Sequence, residues 1–232
     1  MASSQPSSTS PQKPLHISLL LFPAFQALDA FGPLDALNIL SYTTPLHLSI
    51  LAPTLHPVST KPLTPNLVGS NFSESIAPTH TYASPPPDID VLLVPGGLGT
   101  RAQGTKQVVD FIRATYPGVK YMIAVCTGSW LAARAGVLDG RRATSNKASW
   151  GARVEQGSGE VKWVAHARWV VDGNVWTSSG VSAGIDATLD WIKTVWGREQ
   201  AMQVADRMEY DWHEDGAWDP WAEKYGLKDD EE

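Results

Sequence analysis

Short uninterrupted apolar runs alternate with stretches of helical periodicity along this chain, and that alternation narrows the possible folds more than any other property. Leu15 to Phe22, Leu46 to Leu51, Asp90 to Val94 and Lys120 to Val125 have the length and continuity of strands covered on both faces, since a half-exposed strand would alternate with polar residues. Between them, Ala27 to Leu40 and Gln107 to Thr115 carry apolar residues at helical spacing, with Pro33 expected at the first position of the main helix. Trp130 to Ala135 reads as an Ala-rich helix stopped by Gly136. Val161 to Val171 and Asn174 to Thr177 flank Asp172-Gly173, a hairpin signal, and Val181 to Val195 and Glu199 to Met208 are two closing helices. Residues 53 to 87, rich in Pro, Thr and Ser, are expected to be irregular with one or two edge strands, ending in the stiff Pro85-Pro86-Pro87 connector. The expected fold is α/β, a three-layer α/β/α sandwich on a mostly parallel sheet, with ligands outside the carboxyl ends of the strands where strand order reverses.

At 232 residues, 43% hydrophobic and 18% charged, the chain has enough apolar surface for one substantial core. We expect a Ser, Pro and Gln-rich tail over 1–14, one domain over 15–210, and a Trp-rich acidic extension over 211–232 whose Asp229-Asp230-Glu231-Glu232 end is a solvated tail. Fifteen of 17 prolines lie at or before Pro95 and all ten tryptophans at or after Trp130, so the second half is expected to cover a core, a pocket or a second subunit with aromatic surface. A net charge of −6 without a Lys/Arg run argues against a nucleic-acid or anionic-membrane partner. No apolar run approaches the roughly 20 residues that span a bilayer, and the start lacks the basic and apolar pattern of a signal peptide. A cytoplasmic protein is expected.

Cys126 is the only cysteine, which excludes an intramolecular disulfide framework and a cysteine zinc cluster. It stands where a strand runs into a helix, within Ala124-Val125-Cys126-Thr127-Gly128-Ser129, where backbone N–H groups and the helix dipole favour a nucleophilic thiolate. An inert core cysteine is the alternative. Gly96 and Gly97 follow the neighbouring strand, either as amide donors for developing negative charge or as a tight turn. Asp29, after the first strand, is either a proton donor with a pKa raised beside the thiol or a helix cap, while Asp35 is expected to face solvent. None of the six histidines stands at metal-ligand spacing from another, and His166 reads as a satisfied strand histidine. No phosphate-binding glycine pattern is present, so neither a metal nor a nucleotide cofactor is expected.

Taken in order, Leu21-Phe22-Pro23 through Leu28-Asp29, Gly32-Pro33-Leu34-Asp35, Asp90 to Gly97, Ala124 to Ser129, Gly136-Val137-Leu138, Gly140-Arg141-Arg142-Ala143-Thr144, and Thr177-Ser178-Ser179-Gly180 leading to Ala183-Gly184-Ile185-Asp186 resemble the DJ-1/PfpI superfamily in its isocyanide hydratase-like branch. The resemblance implies a flavodoxin-like fold, related to the class I glutamine amidotransferases, and a homodimer. It also implies a cofactor-independent lyase acting on a small electrophilic substrate. It carries the nucleophile onto Cys126, the acid/base carboxylate onto Asp29, an orienting hydroxyl onto Thr127, and main-chain donors onto Gly96, Gly97 and Leu98. Aspartate at 29 and threonine at 127 favour the hydratase branch over glyoxalase-type conversion of 2-oxoaldehydes. A non-catalytic redox or electrophile sensor on Cys126 is the reading from another class. Many relatives have a Thr-His-Trp stretch where this chain has Ser145-Asn146-Lys147, which puts Asn146 beside the site, and bacterial hydratases lack the Trp-patterned C-terminal extension.

Overall fold

The computed structural model describes residues 16–64, 68–157 and 159–230; the expected tail over 1–14 lies outside the described residues, as do Glu231 and Glu232. Five of the expected strands join one sheet. β1 (His16–Leu20), β2 (His47–Ala52), β3 (His80–Thr81), β4 (Val91–Val94), β5 (Tyr121–Val125), β6 (Trp169–Asp172) and β7 (Val175–Ser178) form it in the order β6-β7-β5-β4-β1-β2-β3. All neighbours are parallel except β6 and β7. α1 (Ala27–Leu40), α4 (Ala183–Trp196) and α5 (Arg198–Arg207) pack together as one layer, and α2 (Lys106–Thr115) and α3 (Gly128–Arg134) as the other. The continuous apolar runs are explained by this double cover. Leu19, Leu93 and Ile123 are fully buried, and each such side chain contributes about 1.5–3 kcal/mol of transfer free energy.

Strand order reverses between β1 and β4, because the chain runs outward from β1 through β2 and then returns to β1's other side. Register aligns Leu19 with Leu93 and Val94 with Ala124. The loops after β1, β4 and β5 therefore emerge side by side at one sheet edge, the crevice in which α/β folds hold ligands.

Three local expectations are corrected. Pro33 lies inside α1, which begins at Ala27; Pro33 removes the donor to the Asp29 carbonyl, but burial of Ala30 and Gly32 against the core keeps the first turn helical. Residues 161–171 are not one strand: Lys162–Trp163 pairs in parallel with Arg142–Ala143 as a separate ribbon, and the hairpin is β6–β7 around Gly173-Asn174. Within the acidic C-terminus, Asp229 and Asp230 are tied to the body and are not a solvated tail. Asp229 Oδ1 accepts from Ala165 N (2.5 Å) and His166 N (3.0 Å), and Asp230 Oδ1 pairs with Arg153 Nη2 at 2.5 Å. His166 itself is half exposed, with Nδ1 3.4 Å from Asp229.

The segment after α5 is strapped to the body along its length. Tyr210 Oη donates to Asp186 Oδ2 (3.1 Å), Arg168 N donates to the Gly216 carbonyl (2.7 Å), and the short helix α6 (Pro220–Lys224) follows. Most tryptophans are core: Trp130 and Trp191 are completely buried, whereas Trp218 and Trp221 on the strap are 43% and 42% exposed. Among the described residues no helix is long and apolar enough to cross a membrane.

Candidate active site

The crevice at the strand ends brings Cys126, Asp29, Gly96 and Thr127 together. Cys126 directly follows β5 with φ +59°, a left-handed backbone that a side-chain-bearing residue adopts at a cost of about 1–2 kcal/mol. Its conformation is held from both sides. Its N–H donates to the Ser178 carbonyl (3.2 Å), and its own carbonyl accepts from Ser129 Oγ (2.9 Å) and Ser145 Oγ (3.1 Å). The thiol is 5% exposed and faces the backbone N–H groups of Val181 and Thr127, the Asn146 side chain and the Asp29 carboxyl.

Asp29 sits in the first turn of α1 and is fully buried; its Oδ2 accepts from Gly96 N at 2.9 Å. It is not a helix cap, because Gln26 occupies that position and no side chain caps it. Burial pushes Asp29 up to about 7, against the lowering hydrogen bonds from Gly96 and Cys126. Burial, and then the Asp29 charge, push the Cys126 thiol up to about 12. This corrects the expectation of a thiolate at a helix terminus. The Thr127 N–H does stabilise the thiolate, but desolvation and the adjacent carboxylate outweigh it. The pair therefore shares one proton near neutrality, and moving it from sulfur to Asp29 creates thiolate and acid together with no change in net charge.

The glycines serve geometry. A Cβ on Gly96 would stand 2.6 Å from Thr127 N and Oγ1 and 2.9 Å from Asp29 Oδ2; one on Gly97, at φ +131°, would stand 2.4 Å from Gln26 N. Only glycine lets this turn lie against both partners. Their amides are engaged in the resting structure: Gly96 N donates to Asp29, and Gly97 N donates to Thr127 Oγ1 at 3.0 Å. Thr127 Oγ1 also accepts from Thr100 Oγ1 at 3.1 Å, so its hydroxyl braces the glycine turn. Leu98 begins a 3-10 turn and is 58% exposed. Val181, whose N–H meets the thiol, carries no signal as a site residue in the sequence; its φ of +44° is strained for a β-branched side chain and aims the amide inward. Asn146 was legible only as a departure at a suspect position. It caps the following turn through Oδ1, accepting from Ser149 N at 2.9 Å, while its amide group meets the thiol and crowds Gly180.

Next to Asn146, Lys147 is buried. Its Nζ donates to Thr144 Oγ1 (2.6 Å) and the Ala167 carbonyl (2.8 Å) and lies 3.2 Å from Asp219 Oδ2, the residue that caps α6. Burial, opposed by the Asp219 charge, pulls Lys147 down to about 8. Asp219→Asn keeps the α6 cap but removes the counter-charge, and breaking a buried pair on one side costs about 3 kcal/mol. Chemical denaturation is expected to register that loss at pH 6 and a smaller one at pH 9, where Lys147 sheds its proton. Equal losses at both pH values would contradict the pairing.

A cavity of about 260 Å³ adjoins the thiol's partners. Asn146, Lys147, Ala148 and Ser179 to Ser182 line it on the body, and Trp221 and Tyr225 line it on the strap. Another cavity of about 240 Å³, among Ile17, Leu34, Leu37 and Leu46, opens at the opposite end of β1. Among the described residues no group of three or more His, Cys, Asp or Glu is arranged to hold a metal ion.

Comparison with known proteins adds four findings. The profile described as "DJ-1/PfpI family" matches residues 16–194. The isonitrile hydratase of Pseudomonas putida is 36% identical over 197 residues, covering 84% of this chain and 78% of that protein. A ThiJ/PfpI family protein from Pseudomonas syringae superposes with a TM-score of 0.71 at 28% identity, over 92% of this chain and 83% of that one. The HTH-type transcriptional regulator GbdR of Pseudomonas aeruginosa is 32% identical over 126 residues, 54% of this chain but only 34% of the regulator.

Proposed function

Because the chain belongs to the DJ-1/PfpI family, whose profile spans residues 16–194, we propose that it is a cofactor-independent cysteine enzyme hydrating an isocyanide to an N-substituted formamide. One observation carries the reading: the lone thiol, Cys126, faces a buried carboxyl, Asp29, pushed up to about 7. A carboxyl at that value delivers and recovers a proton near neutrality. The similarity to the Pseudomonas putida isonitrile hydratase supports the choice of substrate.

In this reading the Cys126 sulfur, having passed its proton to Asp29, attacks the terminal carbon of the isocyanide. Asp29 protonates that carbon, giving a thioimidate. Water then adds across the carbon–nitrogen double bond: its oxygen joins carbon, and Asp29 takes one of its protons and passes that proton to nitrogen, so that one O–H proton remains. The tetrahedral carbon expels the thiolate, its hydroxyl proton returns to Asp29, and an N-substituted formamide leaves. Val181 N–H, Thr127 N–H and the Asn146 amide steady the charge on sulfur at the start and end of the cycle. The Gly96-Gly97-Leu98 turn positions Asp29 and Thr127.

The sensor alternative uses the same thiol and separates from the enzyme on turnover, since a sensor is modified once whereas an enzyme regenerates its thiol. A parallel assay of p-nitrophenyl isocyanide and methylglyoxal, with intact mass measured afterwards, is expected to show formamide, an unmodified protein and no hydroxy acid. One stable modification without turnover would favour the sensor, and hydroxy acid would favour glyoxalase chemistry. The reading also includes a cytoplasmic homodimer, with Leu28 and Phe31 of α1, 40% and 39% exposed, as contact residues. Light scattering of the same preparation at twice the 25.1 kDa chain mass tests the dimer.

A further inference from the structure

The C-terminal strap supplies a wall that the strand-end loops do not. Trp221 and Tyr225 stand one turn apart on and just after α6, and both border the 260 Å³ cavity opposite Asn146, Gly180 and Val181. Asn146 and Val181 are also two of the three residues whose N–H groups meet the Cys126 sulfur, the third being Thr127, so the cavity and the thiol lie on opposite sides of the same two residues. The two rings are 42% and 48% exposed, in a protein whose other large aromatics are mostly core. Their support is rigid: Asp219 Oδ1 caps α6 by accepting from Trp221 N (2.7 Å) and Ala222 N (3.3 Å), Ala222 is fully buried, and Lys147 anchors Asp219 from below. Lys224 Nζ lies 4.6 Å from the Trp221 ring centroid, which orients the indole.

We propose that this cavity is the subsite for the non-reacting end of the substrate and that it takes a flat aromatic substituent, packed against Trp221 and Tyr225 while the reactive carbon reaches Cys126 between Asn146 and Val181. The isocyanide at the reactive end rests on the function proposed above; the aromatic end rests on the cavity. Size limits the ligand. An enclosed cavity of about 150 Å³ holds benzene, so this one, at about 260 Å³, has room for a single ring with a small substituent. Charge limits it further, because Lys147, the charged residue of the lining, turns its ammonium to Asp219, leaving amide, hydroxyl and aromatic groups to meet a neutral ligand.

Because Cys126 is the only cysteine, alkylation rates read the subsite without requiring turnover. Intact mass would follow modification of the full-length protein by iodoacetamide and by N-phenyl-2-iodoacetamide, in the parent and in Trp221→Ala, Tyr225→Ala and Trp221→Phe. The preference for the phenyl reagent is expected to fall about two- to tenfold in each alanine variant, the range of an aromatic contact, and to be kept in Trp221→Phe. An unchanged preference in variants with parental circular dichroism would overturn the subsite, even if isocyanides are hydrated. A lost preference without hydration of any isocyanide would uphold the subsite and sink the proposed reaction.

Discussion

Cys126→Ala is expected to abolish isocyanide turnover, by a factor on the order of 10⁴ or more, and to leave the protein unable to form any covalent adduct with substrate. The loss should be chemical and not structural. Alanine meets the same φ of +59° that cysteine tolerates, so the backbone strain is unchanged, and deleting one sulfur from a nearly buried site leaves a void costing about 1 kcal/mol. The Ser129 and Ser145 hydroxyls that hold the residue-126 carbonyl remain in place. Thermal unfolding should therefore be close to that of the parent while the formamide signal vanishes. No other thiol in the chain can substitute. Turnover retained in the alanine variant would end the covalent mechanism outright.

Asp29→Asn is expected to remove most activity, about 10²- to 10⁴-fold for the loss of a positioned acid/base, and at the same time to stabilise the protein. In the unfolded chain the carboxyl ionises near its model value of 3.8, whereas in the folded protein burial holds its proton until about pH 7. Folding stability therefore falls as pH rises from about 4 to 7, and stays lowered above 7. Integrated over that interval, the penalty is at most about 4 kcal/mol. Asparagine carries no charge, and its side-chain oxygen can still accept from Gly96 N. The gain over the parent should be absent at pH 3.5 and largest above pH 7, as denaturant titrations at the two pH values would show. The same substitution removes the charge that raises the Cys126 thiol, so iodoacetamide should modify the variant at lower pH than the parent. For the parent, kcat/KM should rise with pH up to about 7, as the pair loses its first proton, and then level off. A less stable asparagine variant, or a parental pH profile in it, would contradict the role assigned to Asp29. Such a trade, stability withheld where catalysis needs a buried titratable group, is common at active sites.

Much of the fold was legible because its signals are local. The runs ending at Leu20, Val94 and Val125 are continuous because both faces of each strand are covered, and a reader of the sequence sees that continuity directly. The positions of Asp29, Gly96 and Cys126 just beyond strands followed from the same pattern. Where the reading failed, distant contacts had overridden local preference. Pro33 suggested a helix start, yet packing on the core keeps a full turn before it helical. The acidic C-terminal residues suggested solvent, yet Asp229 and Asp230 serve the amides of Ala165 and Trp163 and the guanidinium of Arg153. Val181 lies 55 positions from Cys126 along the chain, and nothing local marks its amide as a partner of the thiol.

By itself the sequence determined which residue types stand at which strand ends: a single thiol before a helix, a glycine pair after the neighbouring strand, and an aspartate after the first strand. Those are properties of periodicity and composition. Tertiary structure alone decided the state of that chemistry. A helix terminus argues for a thiolate, but burial and the nearness of Asp29 raise the thiol to about 12 and the carboxyl to about 7. Desolvation and Coulomb energy depend on surroundings in space, and here those surroundings come from β1, β4, β5, the Asn146 turn and the loop before α4 at once. The aromatic wall at Trp221 and Tyr225 has the same origin, because only folding brings the end of the chain back over the residue that Asp29 faces.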